Sequence, residues 1–162
     1  MILTTSRDPS RRTRRFAKVL ARFMNWRYVQ RGKMSLEDLF SNLTENLVMI
    51  TEIKANPAFL KVYDRSGKEL LSLRINVGEI KKVKMNDDFV VFVGDPPFDP
   101  LLLGAMPKGK AAEKFVRKVE TKKIVKVHDN VLDFLYDGKP VLRIKVLGVR
   151  YGGEANGGRR RS

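Results

Sequence analysis

The stretch TTSRDPSRRTRRFAKVLARFM, residues 4–24, decides how the rest of the chain is read. Asp8 stands as an N-cap with Pro9 at the first helical position, a common opening of a helix. Phe16, Val19, Leu20, Phe23 and Met24 then recur at i, i+3, i+4, i+7 and i+8, the spacing of a buried helical stripe. Arg11, Arg14, Arg15, Lys18 and Arg22 fall on the opposite side, so one face packs and the other is a basic ridge. Asp8 is the only acid here, and none follows until Glu37. Like charges one turn apart repel, and cations near a helix N-terminus oppose the helix dipole. A face built this way implies a bound anion. Thr4, Thr5, Ser6 and Ser10, around the helix start, add hydroxyl donors suited to phosphate oxygens.

The bias is global as well. The 162 residues carry 33 Lys and Arg against 18 Asp and Glu, a net charge of +15. That excess predicts a polyanionic partner: RNA, DNA or an acidic membrane face. An apolar share of 43% is ordinary for a globular chain and argues against disorder throughout. With no cysteine, disulfides, thiolate metal sites and a cysteine nucleophile are excluded. One histidine leaves almost no ligands for a transition metal. The opening MILTTSR has no apolar run long enough for a signal peptide, and no segment approaches the length of a membrane span. A soluble intracellular protein is expected.

Residues 2–5 read as a short strand, and WRYVQRG, residues 26–32, as a second. In that second strand Arg27 and Arg31 share a face with Val29, while Trp26 and Tyr28 take the other. Aromatics interleaved with arginines can stack bases, or the two rings can be core. Ser35 and Asp38 sit at capping-box spacing before a short helix carrying Leu36, Leu39, Phe40 and Leu43. Residues 47–53 are mostly apolar, as a central strand covered on both faces would be. Strands are expected over residues 59–64, 70–77, 89–93, 124–128, 131–136 and 141–149, with a loop at GDPPFDP and a helix near residues 112–119. One echo stands out. Tyr63-Asp64, Gly67-Lys68 and Leu73-Arg74-Ile75 repeat as Tyr136-Asp137, Gly138-Lys139 and Leu142-Arg143-Ile144. A duplicated α/β half accounts for it, with halves at about residues 1–80 and 81–151. Two unrelated hairpins with common turn chemistry would give the same echo. GGEANGGRRRS reads as a flexible basic tail, residues 152–162.

Other motifs carry less. Gly104, Gly109 and Lys110 spell G-x-x-x-x-G-K, but Ala111 stands where a phosphate loop needs Ser or Thr for magnesium. A turn rich in Gly and Lys could still hold a nucleic-acid phosphate through backbone N–H groups, which makes Lys108 and Lys110 secondary candidates. Asp87 and Asp88 neighbour a turn, and Asp95 and Asp99 sit among prolines, where Asp commonly caps turns rather than holding a metal. His128 has no Ser/His/Asp arrangement around it and reads as structural or solvent-facing.

Thr4, Thr5, Ser6, Arg7, Pro9, Ser10, Arg12, Thr13, Arg14 and Phe16 fill the pattern T-T-S-R-x-P-S-x-R-T-R-x-F. With the following WRYVQRGKMSLEDLF, this resembles the opening of the Brix-domain family of ribosome-biogenesis proteins. DGKPVLRIKVLGV is similar to the family's closing hairpin, with Gly138-Lys139-Pro140 where the family has a Gly-Pro-Arg core. The resemblance covers residues 2–151, a single Brix domain within residues 1–151. It implies an α/β (α+β) fold of two similar halves, each a mixed sheet with helices like the anticodon-binding domain of class II aminoacyl-tRNA synthetases. It also implies a role without catalysis or cofactor in assembling ribosomal RNA or its precursor, with ribosomal or other assembly proteins as further partners. The compact length matches archaeal members, for which the compartment is the cytoplasm; a eukaryotic member would be nucleolar. Expected phosphate contacts are Arg7, Arg12 and Arg14, helped by Ser6, Ser10 and Thr13. Arg11, Arg15, Lys18 and Arg22 extend the track, Arg27, Arg31 and Lys33 continue it, and Arg159, Arg160 and Arg161 join the secondary candidates. A protein-interaction scaffold, or a nuclease or NTPase dependent on Asp95 or Lys110, are the rival readings.

Overall fold

The computed structural model describes residues 1–105 and 121–152. Nine strands form one mixed sheet in the order β2-β1-β3-β4-β5-β9-β8-β7-β6. They are β1 (Ile2–Thr5), β2 (Arg27–Tyr28), β3 (Leu47–Ile53), β4 (Asn56–Tyr63), β5 (Glu69–Ile80), β6 (Val90–Val93), β7 (Lys123–His128), β8 (Val131–Tyr136) and β9 (Lys139–Tyr151). The α-helices among the described residues are α1 (Arg11–Met24) and α2 (Leu36–Ser41). β1 runs parallel to both β2 and β3, and β6 runs parallel to β7. All other pairs are antiparallel. The long strands β5 and β9 pair at the centre, from Leu71 opposite Tyr151 to Ile80 opposite Leu142.

α1 lies across one face of this sheet, and its apolar stripe explains why. Phe16, Leu20 and Phe23 are buried with Leu3, Val48 and Ile50 from one end, and with Val125, Leu132 and Phe134 from the other. The rings of Phe23 and Phe134 meet edge to face at 5.2 Å. Fully burying each such side chain contributes about 1.5–3 kcal/mol, so the helix ties both ends of the sheet together. On the opposite face a smaller cluster joins Ile2, Leu47 and Met49 to Leu39 of α2. β3 is therefore covered on both sides at its start, as its apolar run requires.

The helix start differs from expectation. Asp8 has φ of 48° and is no cap. Ser10 caps instead, its hydroxyl oxygen accepting the Thr13 N–H at 3.1 Å. Ser is as good a cap as Asp, and this choice leaves Pro9 outside the helix. The second strand shortens to Arg27–Tyr28, the sheet's edge. Trp26 belongs to the core, its indole N–H donating to the Leu103 carbonyl at 3.2 Å. The echoed hairpins differ in their turns. Asp137 and Gly138, at φ of 52° and 80°, make a two-residue loop of the kind favoured between twisted strands. The other connection is a longer loop in which the Asp64 carboxylate accepts backbone N–H groups from Ser66 and Lys68. GDPPFDP leads into a 3-10 turn, Pro100–Leu103, capped by the Asp99 side chain. The expected helix near 112–119 lies outside the described residues.

Candidate functional site

α1 is fastened at both ends by residues that local sequence does not connect to it. At its start the Glu52 carboxylate, from the end of β3, accepts the Ser10 N–H at 3.2 Å and the Thr13 hydroxyl. Burial opposes ionisation of Glu52, but the bonds from Thr13 and Ser10 outweigh it and hold the carboxyl below its ordinary range. The anion implied at the helix start is thus partly supplied by the protein itself. Only an acid closing an otherwise apolar strand hinted at this. Arg12 donates to the carbonyls of Val77 and Gly78 at 2.6 and 3.0 Å and to Asn56 Oδ1 at 3.2 Å, bolting the first turn to the end of β5. At the other end the fully buried Lys123 reaches the Arg22 carbonyl at 3.1 Å and Asn25 Oδ1 at 2.7 Å. Burial, then the nearby Arg22 charge, pulls its ammonium down to about 8.

These anchors divide the expected contacts. Thr4, Thr5 and Thr13 are buried, and the Thr4 hydroxyl donates inward to the Val29 carbonyl. The Ser10 hydroxyl donates to the Ala55 carbonyl at 2.8 Å. Ser6 is half-buried, its N–H on the Ile50 carbonyl. Arg31 does not continue the track. It is buried, with Nε on the Met34 carbonyl and Nη1 on the Thr5 carbonyl, because the chain turns inward after the short edge strand. Arg27 lies near Glu45, which also holds the N-terminal ammonium. Arg22 is paired with Asp87 at 2.7 Å and bonds the Met85 carbonyl. Arg7, Arg11, Arg14, Arg15, Lys18 and Lys33 remain exposed, with no ion pair among the described residues. Lys18 sits over the half-buried ring of Tyr28, 5.7 Å from its centre.

Beside this ridge runs a cleft of about 330 Å³. One wall is Arg11, Arg14, Arg15, Lys18 and Arg22 of α1; the other is Lys82, Val83 and Met85, from the segment after β5. That segment is held by the Lys81 N–H on the Val141 carbonyl and the Asn86 N–H on the Tyr136 hydroxyl. The run GEIKKVKMND was legible as charged, but nothing in it said that it would face α1.

No family model matches the chain. Individual relatives do. A probable Brix domain-containing ribosomal biogenesis protein of Archaeoglobus fulgidus is 47% identical over 148 residues, 91% of this chain and 95% of the relative. The chain belongs to the Brix-domain family. A second Brix relative, from Methanosarcina barkeri, is 33% identical and spans 93% of this chain and 99% of its own length. The crystal structure of Mil, an archaeal Imp4-like protein, superposes with a TM-score of 0.71 at 28% identity, covering 94% of this chain and 100% of that one. The large mixed sheet with few helices is thus shared with a solved relative.

The remaining candidates of this Brix protein are scattered. Asp87 is taken by Arg22, Asp88 accepts the Lys122 N–H at 2.9 Å, and Asp99 caps its turn. No group of His, Cys, Asp and Glu among the described residues is placed to hold a metal. No helix among them is long and apolar enough to cross a membrane. His128 is an exposed ring bonded to Asp133, which also pairs with Arg143. Lys108, Lys110, Arg159, Arg160 and Arg161 lie outside the described residues.

Proposed function

We propose that this protein binds ribosomal RNA or its precursor during subunit assembly, along the exposed basic face of α1, and that it acts by binding rather than by a reaction of its own. The observation that carries the reading is the cleft: exposed cations of an anchored helix, Arg11, Arg14, Arg15 and Lys18, line it together with Lys82 of a second basic segment. Phosphate contacts are assigned to Arg11, Arg14, Arg15 and Lys18, with Arg7, Lys33 and Lys82 at the margins. Arg12, Ser10 and Thr13 serve by fixing the helix, and Arg31 by fixing the chain beneath it. Assembly proteins are further partners, and the cytoplasm of an archaeal cell is the setting its relatives suggest.

We further infer that residues 1–151 are one domain of two related halves, about 1–80 and 81–151; the tail expected from the sequence lies, from residue 153 on, outside the described residues. In support, β1-β3-β4-β5 and β6-β7-β8-β9 share one pattern, a parallel pair followed by two antiparallel ones. The binding reading is tested by titrating labelled ribosomal RNA fragments at rising salt. Four phosphate contacts give a log-log slope of about −2.8 on single strands, so affinity drops about 50-fold between 50 and 200 mM salt. Affinity that ignores salt refutes the proposal.

A further inference from the structure

The cleft beside α1 is not lined as a site for phosphates alone would be. Its lining also includes Val19 on the α1 side and Val83 and Met85 on the wall opposite. Val19 and Met85 are otherwise buried, at 6% and 5% exposure, so their remaining contact with the outside is slight and apolar. A phosphate gains nothing there, because pressing it onto apolar atoms costs hydration without returning hydrogen bonds. A flat, weakly hydrated group flanked by negative charge suits both features at once.

We propose that the cleft takes one unpaired nucleobase of RNA, laid on Val19, Val83 and Met85, while the flanking phosphates run along Arg11, Arg14, Arg15 and Lys18. The proposal rests on the RNA-binding reading and narrows it to single-stranded or bulged RNA. The volume of about 330 Å³ sits at the lower end of small-ligand sites, which begin at about 300 Å³, and suits one base rather than a helix. Arginine guanidinium planes stack on bases as well as pair with phosphates, so the walls can serve either role. A continuous A-form duplex keeps its bases stacked inside and offers only backbone and a shallow groove, which leaves the apolar floor unused. From Arg11 to Arg22 the ridge is about 16 Å long at the helical rise, so it follows more than one nucleotide while the cleft receives one. At its far end Asp87 already neutralises Arg22, which directs the strand towards the Arg11 end.

The test uses the full chain and a short fluorescent RNA in three forms: single strand, perfect duplex, and a ribose-phosphate strand of equal length without bases. The proposal expects the single strand to bind about tenfold tighter than either of the others at equal salt, in the range of base stacking at protein surfaces. Val83→Gln should shrink that preference several-fold and leave the salt slope unchanged. Should the variant fold poorly, the base-free strand decides on the wild-type protein. Equal affinity for all three forms, with steep salt dependence, overturns the base site and leaves backbone binding standing. No salt-dependent affinity for any form overturns both. Displacement of the RNA by an acidic leucine-bearing peptide, as readily as by unlabelled RNA, overturns the proposal in favour of a protein occupant.

Discussion

Arg12 and Arg14 look interchangeable in the sequence, yet opposite consequences are expected from removing them. The Arg12 guanidinium is spent on the Val77 and Gly78 carbonyls and on Asn56, whereas Arg14 projects into the cleft. Hydrogen bonds from a charged donor contribute about 1.5–3 kcal/mol each when protected. This site is half-exposed, so Arg12→Ala is expected to cost about 1–2 kcal/mol in all. For a domain of this size that lowers the melting midpoint by about 2–8 °C. The salt slope of RNA binding should not move, because no phosphate contact is lost. Arg14→Ala and Arg15→Ala should leave stability nearly unchanged, and each should flatten the slope by about 0.7. Together they take it from about −2.8 to about −1.4, so the loss of affinity between 50 and 200 mM salt shrinks to about sevenfold. Fluorescence anisotropy across a salt series, with thermal unfolding of the same preparations, reads both quantities. If Arg12→Ala flattens the slope while its melting midpoint stays put, its guanidinium was serving RNA and the assignment fails. If the double variant keeps the full slope, the cleft is not the interface.

Glu52→Gln should destabilise the fold by about 1 kcal/mol at neutral pH through loss of the charge at the start of α1. Because the Glu52 carboxyl is held below its ordinary range, its contribution is complete above about pH 4.3 and disappears as pH falls through the folded value. Urea unfolding should therefore separate the two proteins at pH 7 and bring them together once the pH has fallen below the folded value. Lys123 works with the same sign in a higher pH window. Between about pH 8 and its ordinary value of 10.5 the unfolded chain holds a proton that the fold has released, so stability gains with rising pH there. Lys123→Met should lack that gain, read as a wild-type minus variant difference that changes only in this window. Gly94→Ala should cost more than about 1 kcal/mol in denaturant unfolding, since φ is 105° and a Cβ would stand 2.5 Å from the Val127 carbonyl oxygen.

The strands were readable because their apolar runs are long or bounded by turn residues: β1, β3 and β8 begin and end where residues 2–5, 47–53 and 131–136 place them. The inner face of α1 was equally plain from spacing. What escaped was everything decided by partners distant in the chain. Glu52 is 42 residues from Ser10, Val77 is 65 from Arg12, and Lys123 is 98 from Asn25. A helical wheel shows which side Arg12 takes but not that the Val77 and Gly78 carbonyls of β5 wait there. The same limit explains Arg31, whose alternation with Val29 presumed a strand that stops at Tyr28. The motif that pointed to the family is mostly a folding motif. Thr4, Thr5, Thr13 and Phe16 turn inward, and Ser10 and Arg12 hold the helix, while Arg14 reaches the cleft.

This division gives the basic ridge its physical sense. Several like-charged side chains on one helix face repel, and a helix held only by its own hydrogen bonds would fray under that load. Here the load is carried elsewhere: Glu52 and Arg12 fix the first turn, Asn25 and Lys123 close the last, and a ring of buried side chains holds the middle. Arg22, at the end nearest the sheet's second parallel pair, is the one cleft arginine given a carboxylate partner among the described residues. The unpaired cations therefore project from a backbone that need not be ordered when RNA arrives, which lowers the entropy cost of binding. If so, the helix should already be rigid without RNA. Amide exchange of residues 14–21 in the free protein should be as slow as that of β3 and unchanged by RNA, with protection gained instead in residues 81–85. Fast exchange of α1 in the free protein, slowed by RNA, would mean that the ligand builds the helix and that the anchors are consequences of binding rather than its foundation.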